Sequence, residues 1–485
     1  MTASESTASS PVAPVSDADS LNASCRWPLL VLFISAAGWA VLASFFQLIA
    51  SIKFHSPDFL ADSPWTTYGR VHDAAGSALL YGFGIQAGLG IALRICTGTA
   101  TLPAARQWIV TFGATLWNLG VLVGIVGILG GDNTGYENLQ LPHYAAMLLF
   151  VGYLLAGVTI VFTLHGRRQP CLSSPQWFVL AAMFWFAWIF TTATWLLLLS
   201  TVRGVEQSVI DWWYSGNLTV VWLGLVGLGT GLYFLEESRD AAGTRDYRPL
   251  FVFWTLILFG SWTGIPSGAP VPVWMPTLSM IATLALAVPL LTIAVTVYGG
   301  QPGLRGNSNS RAGSRFIQFA LAAWVAATAL KVISALPEAA SRIDFTWFMT
   351  AQAELNTYGF YAMMMFGGIY WIVPQVTGME WPLRKAVGVH FWLAAAGVLL
   401  IVLPLAIGGV AQGMKLNHAS IPFIDVTAAT LPYLRVSTMG DVLIFIGHLL
   451  FLSNLLAVTV RVVRAWGMPR YRSVMMEPSA GEVEP

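Results

Sequence analysis

Charge is scarce in this chain. Only 10% of its 485 residues are Asp, Glu, Lys or Arg, against 56% hydrophobic residues. A surface with so little charge cannot be kept in water, which excludes an ordinary soluble globule. Cysteine is scarcer still. Cys25, Cys96 and Cys171 show no CxxC spacing, so neither a disulfide framework nor a zinc site is indicated. The seven histidines include no pair four residues apart, the spacing that puts two imidazoles on one helical face. Runs of Lys or Arg that would mark nucleic-acid binding are missing too, and a net charge of +1 names no partner.

What is present is apolar and long. A span needs roughly 20 apolar residues to cross ~30 Å of hydrocarbon. Twelve stretches qualify: about 27–52, 73–95, 107–130, 143–164, 177–202, 210–235, 249–267, 274–298, 315–336, 347–376, 386–410 and 438–463. Backbone groups in lipid must bond within their own segment, so the expected fold is an all-α integral membrane protein, a twelve-helix bundle. With both termini in the cytoplasm, 17 basic residues fall on the inner side, six on the outer side, and Lys331 lies within a span. The three cysteines then sit at inner ends, where thiols stay reduced. Residues 1–24 are expected to be a disordered cytoplasmic tail, 25–465 one membrane domain, and 466–485 a cytoplasmic C-terminal tail. The loop 299–313 is expected to be a flexible inner linker. The outer loops 53–71 and 411–437 offer the largest surface for a partner.

The stretch D-W-W-Y-S-G-N at 211–217 and the turn-rich G-I-P-S-G-A-P at 264–270 frame neighbouring spans. Trp212-Trp213-Tyr214-Ser215-Gly216-Asn217 resembles helix six of the catalytic subunit of the cbb3-type haem–copper oxidases, where the pattern runs W-W-Y-G-H-N. Other stretches follow in the family's order. They are Y-G-R at 68–70, W-N-L-G-V-L-V-G-I-V-G-I-L at 117–129, W-T-G at 262–264, Lys331, I-Y-W-I-V-P at 369–374, H-F-W-L-A at 390–394 and V-A-Q-G at 410–413. The resemblance implies the fold of haem–copper oxidase subunit I, a bacterial inner-membrane location, haem b and copper as cofactors, and a c-type cytochrome membrane subunit as partner.

It also implies ligand positions, and these are not histidine here. The low-spin haem ligand of the second span aligns with Ala75. The copper histidines align with Gly216, Pro266 and Ser267, and the family's cross-linked tyrosine with Gly260. The two haem ligands of the tenth span align with Gln352 and Glu354, or with Met349 and Ala351 when counted forward from Asp344. Alanine, glycine and proline side chains offer a metal no lone pair. No cofactor is therefore expected, His72 and Met349 being the weak substitute ligands. His72 is expected to hydrogen-bond near Asp73; His390 and His448 are expected to be packing residues. Trp371 and Trp324 are expected to fill vacated volume.

Charges within a membrane are costly and mark function. Lys331 and Glu354 lie at similar depth, so they are expected to form an ion pair. Three functions compete on these observations: a ligand-depleted, non-catalytic homologue acting as membrane scaffold of a respiratory-type complex; an active terminal oxidase or nitric oxide reductase-like enzyme with non-standard ligation; and a transporter or channel using the vacated interior. The scaffold predicts aromatic filling, and the channel predicts a water-filled cavity.

Overall fold

The computed structural model describes residues 17–167, 170–200, 202–238, 247–298 and 312–467. Residues 1–16, most of the 299–313 linker and the tail from 468 onward lie outside the described residues. Every described element is helical. In chain order they are α1 (Asp17–His55), α2 (Tyr68–Thr97), α3 (Ala104–Gly130), α4 (His143–Thr163), α5 (Ser174–Leu199) and α6 (Val205–Glu236). There follow α7 (Arg248–Gly260), α8 (Trp274–Val295), α9 (Ser314–Ser334), the short α10 (Pro337–Ile343), α11 (347–377), α12 (Arg384–Leu416) and α13 (Phe423–Val462).

Ten of these helices are long and apolar enough to cross a membrane. The other two expected spans fall on α7, which has 13 residues, and on α11. A π-helical stretch, Leu355–Ala362, divides α11 into α-helical pieces of 8 and 15 residues. Similar π stretches interrupt α2 at Ala78–Ile85 and α6 at Asn217–Trp222, and another ends α5 at Thr194–Leu199. Such wide turns shift the hydrogen-bond register and occur often at functional sites. α8 breaks at Leu286, three residues before Pro289, whose missing N–H leaves the Ala285 carbonyl without its helical partner.

Two boundaries differ from expectation. The tail expected over 1–24 is helical from Asp17. The C-terminal tail expected from 466 begins later, because 466 and 467 close the helical turn Val463–Gly467. The outer loop expected over 411–437 is mainly helix as well. α12 runs to Leu416 and α13 starts at Phe423, carrying Pro432 within it.

Lipid gives helices no hydrophobic reason to associate, so close packing and internal hydrogen bonds hold the bundle. α2 lies at its centre, with 94% of its apolar window buried against 33% for α8. α11 crosses it there: Tyr361 Oη donates to the Gly84 carbonyl at 3.0 Å. On α3, Trp117 Nε1 donates to the Tyr81 carbonyl at 2.8 Å, and Asn118 exchanges hydrogen bonds with Gln86. Arg70 reaches the Pro64 and Leu129 carbonyls, fastening α2 to the end of α3.

Candidate functional site

α6 is fixed before anything lines a site. Asn217 Nδ2 donates to the carbonyls of Trp213 and Ser261 at 2.9 and 3.1 Å, and its Oδ1 accepts from Trp185 Nε1 at 3.1 Å. Tyr214 Oη meets Tyr81 Oη at 2.8 Å, and Asn138 Nδ2 donates to Ser215 Oγ at 2.8 Å. The polar residues of the 211–217 stretch thus tie α6 to α2, α5 and the turn after α7.

Beside them lies a cavity of about 710 Å³, walled by α2, α6, α8, α9, α11 and α13 where α9 ends and α11 begins. That volume is of the size that holds small molecules. Ala75, Gly216, Pro266, Ser267, Gln352 and Glu354 all line it, as do His72, Met349 and Lys331. Positions that lie up to 279 residues apart in sequence therefore face one space. Gly260 does not reach it and packs against Val220, Val221 and Leu256. Ala351 is buried off the cavity, whereas Gln352 borders it with Nε2 buried and unpartnered.

Gly216 has a packing task of its own. A Cβ there would lie 2.4 Å from the Thr263 carbonyl oxygen and 3.3 Å from Gly264 Cα. Gly264 in turn takes φ +119°, a conformation that side chains rarely adopt, and its own Cβ would lie 2.5 Å from the Trp212 carbonyl oxygen. Helix and turn meet backbone to backbone at this point.

The expected pairing of Lys331 with Glu354 is not formed: the described residues contain no ion pair between them within 4.0 Å. The carboxylate acting on Lys331 is that of Glu137, from the connection between α3 and α4. Glu354 instead lies within electrostatic reach of Asp441 of α13 and of Tyr358. Rise per residue placed Lys331 and Glu354 at one depth, but it says nothing of azimuth around the bundle. Aromatic filling is not observed either. Trp324 stands in the cavity wall beside Phe360, while Trp371 packs on Phe234 at 5.0 Å and borders a different cavity. His72 stacks on the Tyr68 ring at 5.2 Å, and Asp73 is taken by Asn133 Nδ2 rather than by His72.

Asp441 and Glu137 are the site residues that the sequence reasoning missed. Asp441 carries the same signal as Lys331, an ionisable residue inside an apolar span; Glu137 sits in a loop and carries none. Near the Asp441 carboxyl, the Ser51 hydroxyl meets Thr438 Oγ1 at 2.8 Å. At the mouth, burial pushes the Asp344 carboxyl up from its ordinary range, and a 3.4 Å hydrogen bond from Ser267 Oγ pulls it back in part. His448 also lines the cavity; Nε2 accepts from Tyr358 Oη, and Nδ1 donates to the Ala40 carbonyl at 2.8 Å.

Ten apolar helices long enough to cross a membrane, packed about the buried α2 and around one shared cavity, make this a multi-pass membrane bundle. A solved haem–copper terminal oxidase dimer is similar, with a TM-score of 0.64 and 13% identity, covering 90% of this chain and 84% of that one. Residues 28–443 match the family described as Cytochrome C and Quinol oxidase polypeptide I, and the chain belongs to that family. Its relatives include a "Cytochrome c oxidase subunit 1 homolog" of Azorhizobium caulinodans, 23% identical, covering 90% of this chain and 82% of that protein. A "Cbb3-type cytochrome c oxidase subunit CcoN1" of Stutzerimonas stutzeri is 24% identical, covering 88% and 92%.

Proposed function

We propose that this protein is a ligand-depleted member of its family, a non-catalytic membrane scaffold within a respiratory-type complex. The observation that carries this reading is the wall of the 710 Å³ cavity. A haem–copper centre needs imidazoles converging from several helices. The residues at the corresponding positions are Ala75, Gly216, Pro266, Ser267, Gln352 and Glu354, and of these only the last two carry strong donors. Two imidazoles border the cavity. His448 has both nitrogens engaged, and His72 stacks on Tyr68. The donor set does not fit the centre.

In this reading the chain has twelve spans in a bacterial inner membrane, with the α9 start and both termini on the cytoplasmic side. Its partner is a c-type cytochrome subunit, as the cbb3-type relatives suggest, docking over 53–71 and the α12–α13 corner. The test is a visible spectrum and metal analysis of the purified chain. The expected result is haem and copper far below one per chain; stoichiometric haem with a Soret band would overturn the reading. The same spectrum decides against an enzyme ligated through His72, Met349 or Glu354. One observation favours a channel instead: the cavity is not filled by aromatic side chains.

A further inference from the structure

A second cavity, of about 660 Å³, lies at the other end of the same helices, where α9 begins and α11 ends. Tyr370, Arg315, Glu380 and Arg384 are in its wall, and there Glu380 and Arg384 form an ion pair. The first cavity is charged differently. Asp73, Glu137, Asp344, Glu354 and Asp441 border it, and Lys331 is the one Lys or Arg among the described residues that does. Three of these carboxyls are engaged. Asp73 is held by Asn133 Nδ2, Asp344 by Ser267 Oγ, and Glu137 is the carboxyl whose charge acts on Lys331. Glu354 and Asp441 remain. They lie within electrostatic reach of each other, and neither forms an ion pair with any described Lys or Arg.

A carboxylate drawn out of water needs a cation or a proton beside it. Three kinds of cation could meet this pair: a proton, a metal ion or an organic cation. A metal ion needs several converging donors, and no group of three or more His, Cys, Asp or Glu able to hold one occurs among the described residues. An organic cation suits the rest of the wall. Leu80, Leu256, Ile401 and Ile444 give it apolar surface, and Trp324 adds an aromatic ring of the kind that attracts cations. The volume of about 710 Å³ is that of a site for a drug-sized molecule. Gln352 supplies a separate observation. It is 9% exposed and borders the same space, and its Nε2 has no hydrogen-bond partner. An orphaned amide costs free energy until an acceptor meets it, which points to an oxygen on the ligand.

We propose that the first cavity binds a protonated organic amine with an apolar body and an ether or carbonyl oxygen. The ammonium donates to the Glu354 and Asp441 carboxylates, the oxygen accepts from Gln352 Nε2, and the body covers the apolar wall. Binding makes and breaks no covalent bond. The site rests on the reading that no haem fills this cavity. A visible spectrum tests that reading by itself, and the absence of amine binding to a haem-free chain sinks only the site.

The test uses the full chain in detergent at neutral pH, titrated calorimetrically against a protein-free micelle blank. The probes are diphenhydramine, an amine with two phenyl rings and an ether oxygen, and benzhydryl isopentyl ether, its neutral isostere. The wild type is expected to bind diphenhydramine saturably and the isostere about tenfold more weakly or worse, the factor that one charge-assisted hydrogen bond supplies. Glu354→Gln and Asp441→Asn are each expected to weaken diphenhydramine by about the same factor and to leave the isostere unchanged. Both substitutions keep the side chain's shape, and either decides the matter where the other fails to fold. Three results overturn the proposal: no saturable binding of diphenhydramine, equal affinity for the two probes, which would assign the pair to protons, or folded variants that bind like the wild type.

Discussion

Gly216 and Gly264 hold α6 and the following turn at a separation that leaves no room for a Cβ. Overpacking of this kind typically costs about 1–3 kcal/mol. Gly216→Ala is therefore expected to lower stability by roughly that amount, measured as a shift in the detergent-solubilised unfolding midpoint. Gly216→His, which restores the residue that the cbb3-type pattern carries, is expected to destabilise further and to gain no haem or copper. The sequence was legible here up to a point. It named Gly216 as a vacant ligand position, but it could not show that backbone now occupies the space a side chain would need. Lys331 was legible in the same partial way: its cost inside a span could be read, and the Glu137 charge that acts on it could not, because the two are nearly 200 residues apart.

At the level of elements, the V-A-Q-G stretch of α12 makes a joint. Gln412 Oε1 accepts from the Trp347 N–H at 3.0 Å and so caps the first turn of α11. Cβ atoms at Gly409 and Gly413 would lie 2.0 Å from Phe348 N and 1.6 Å from the Arg342 carbonyl oxygen. Both contacts are with backbone, which cannot swing aside. Gly409→Ala is expected to cost at least the ~1–3 kcal/mol of an ordinary overpacked site, and the loss should appear as early unfolding or poor expression. Helix positions came out of the hydropathy pattern because burial in lipid demands long apolar runs. The π stretches did not, since their wide turns arise from packing between helices rather than from local composition. The loop expected over 411–437 was misplaced for a related reason: Asp425, Pro432 and Arg435 interrupt the apolar pattern of α13 without ending the helix.

For the molecule as a whole, the proposed orientation follows the Lys and Arg asymmetry and has the cytoplasm at the start of α9, and the native cysteines allow a direct check. Cys171 is exposed, while Cys25 and Cys96 are buried. A membrane-impermeant maleimide is expected to label Cys171 in inside-out vesicles and to leave it unlabelled in intact spheroplasts. Labelling in spheroplasts would reverse the assigned orientation. Family membership was readable from the ordered motifs, and four of those motifs turn out to hold helices together: Arg70, Trp117, Asn217 and Gln412 each make a hydrogen bond that fastens one helix to another. That is why the fold could be recognised from them.

The two cavities have an electrical consequence. Where water enters from both faces, the insulating layer shrinks to what lies between Tyr358 and Tyr370, twelve residues or ~18 Å along α11. Most of the membrane voltage then drops across that thin septum. An elementary charge gains about 2.3 kcal/mol for every 100 mV only by crossing it. A cation resting in the first cavity stays near the potential of its own side, so its occupancy should be indifferent to the energised state of the cell.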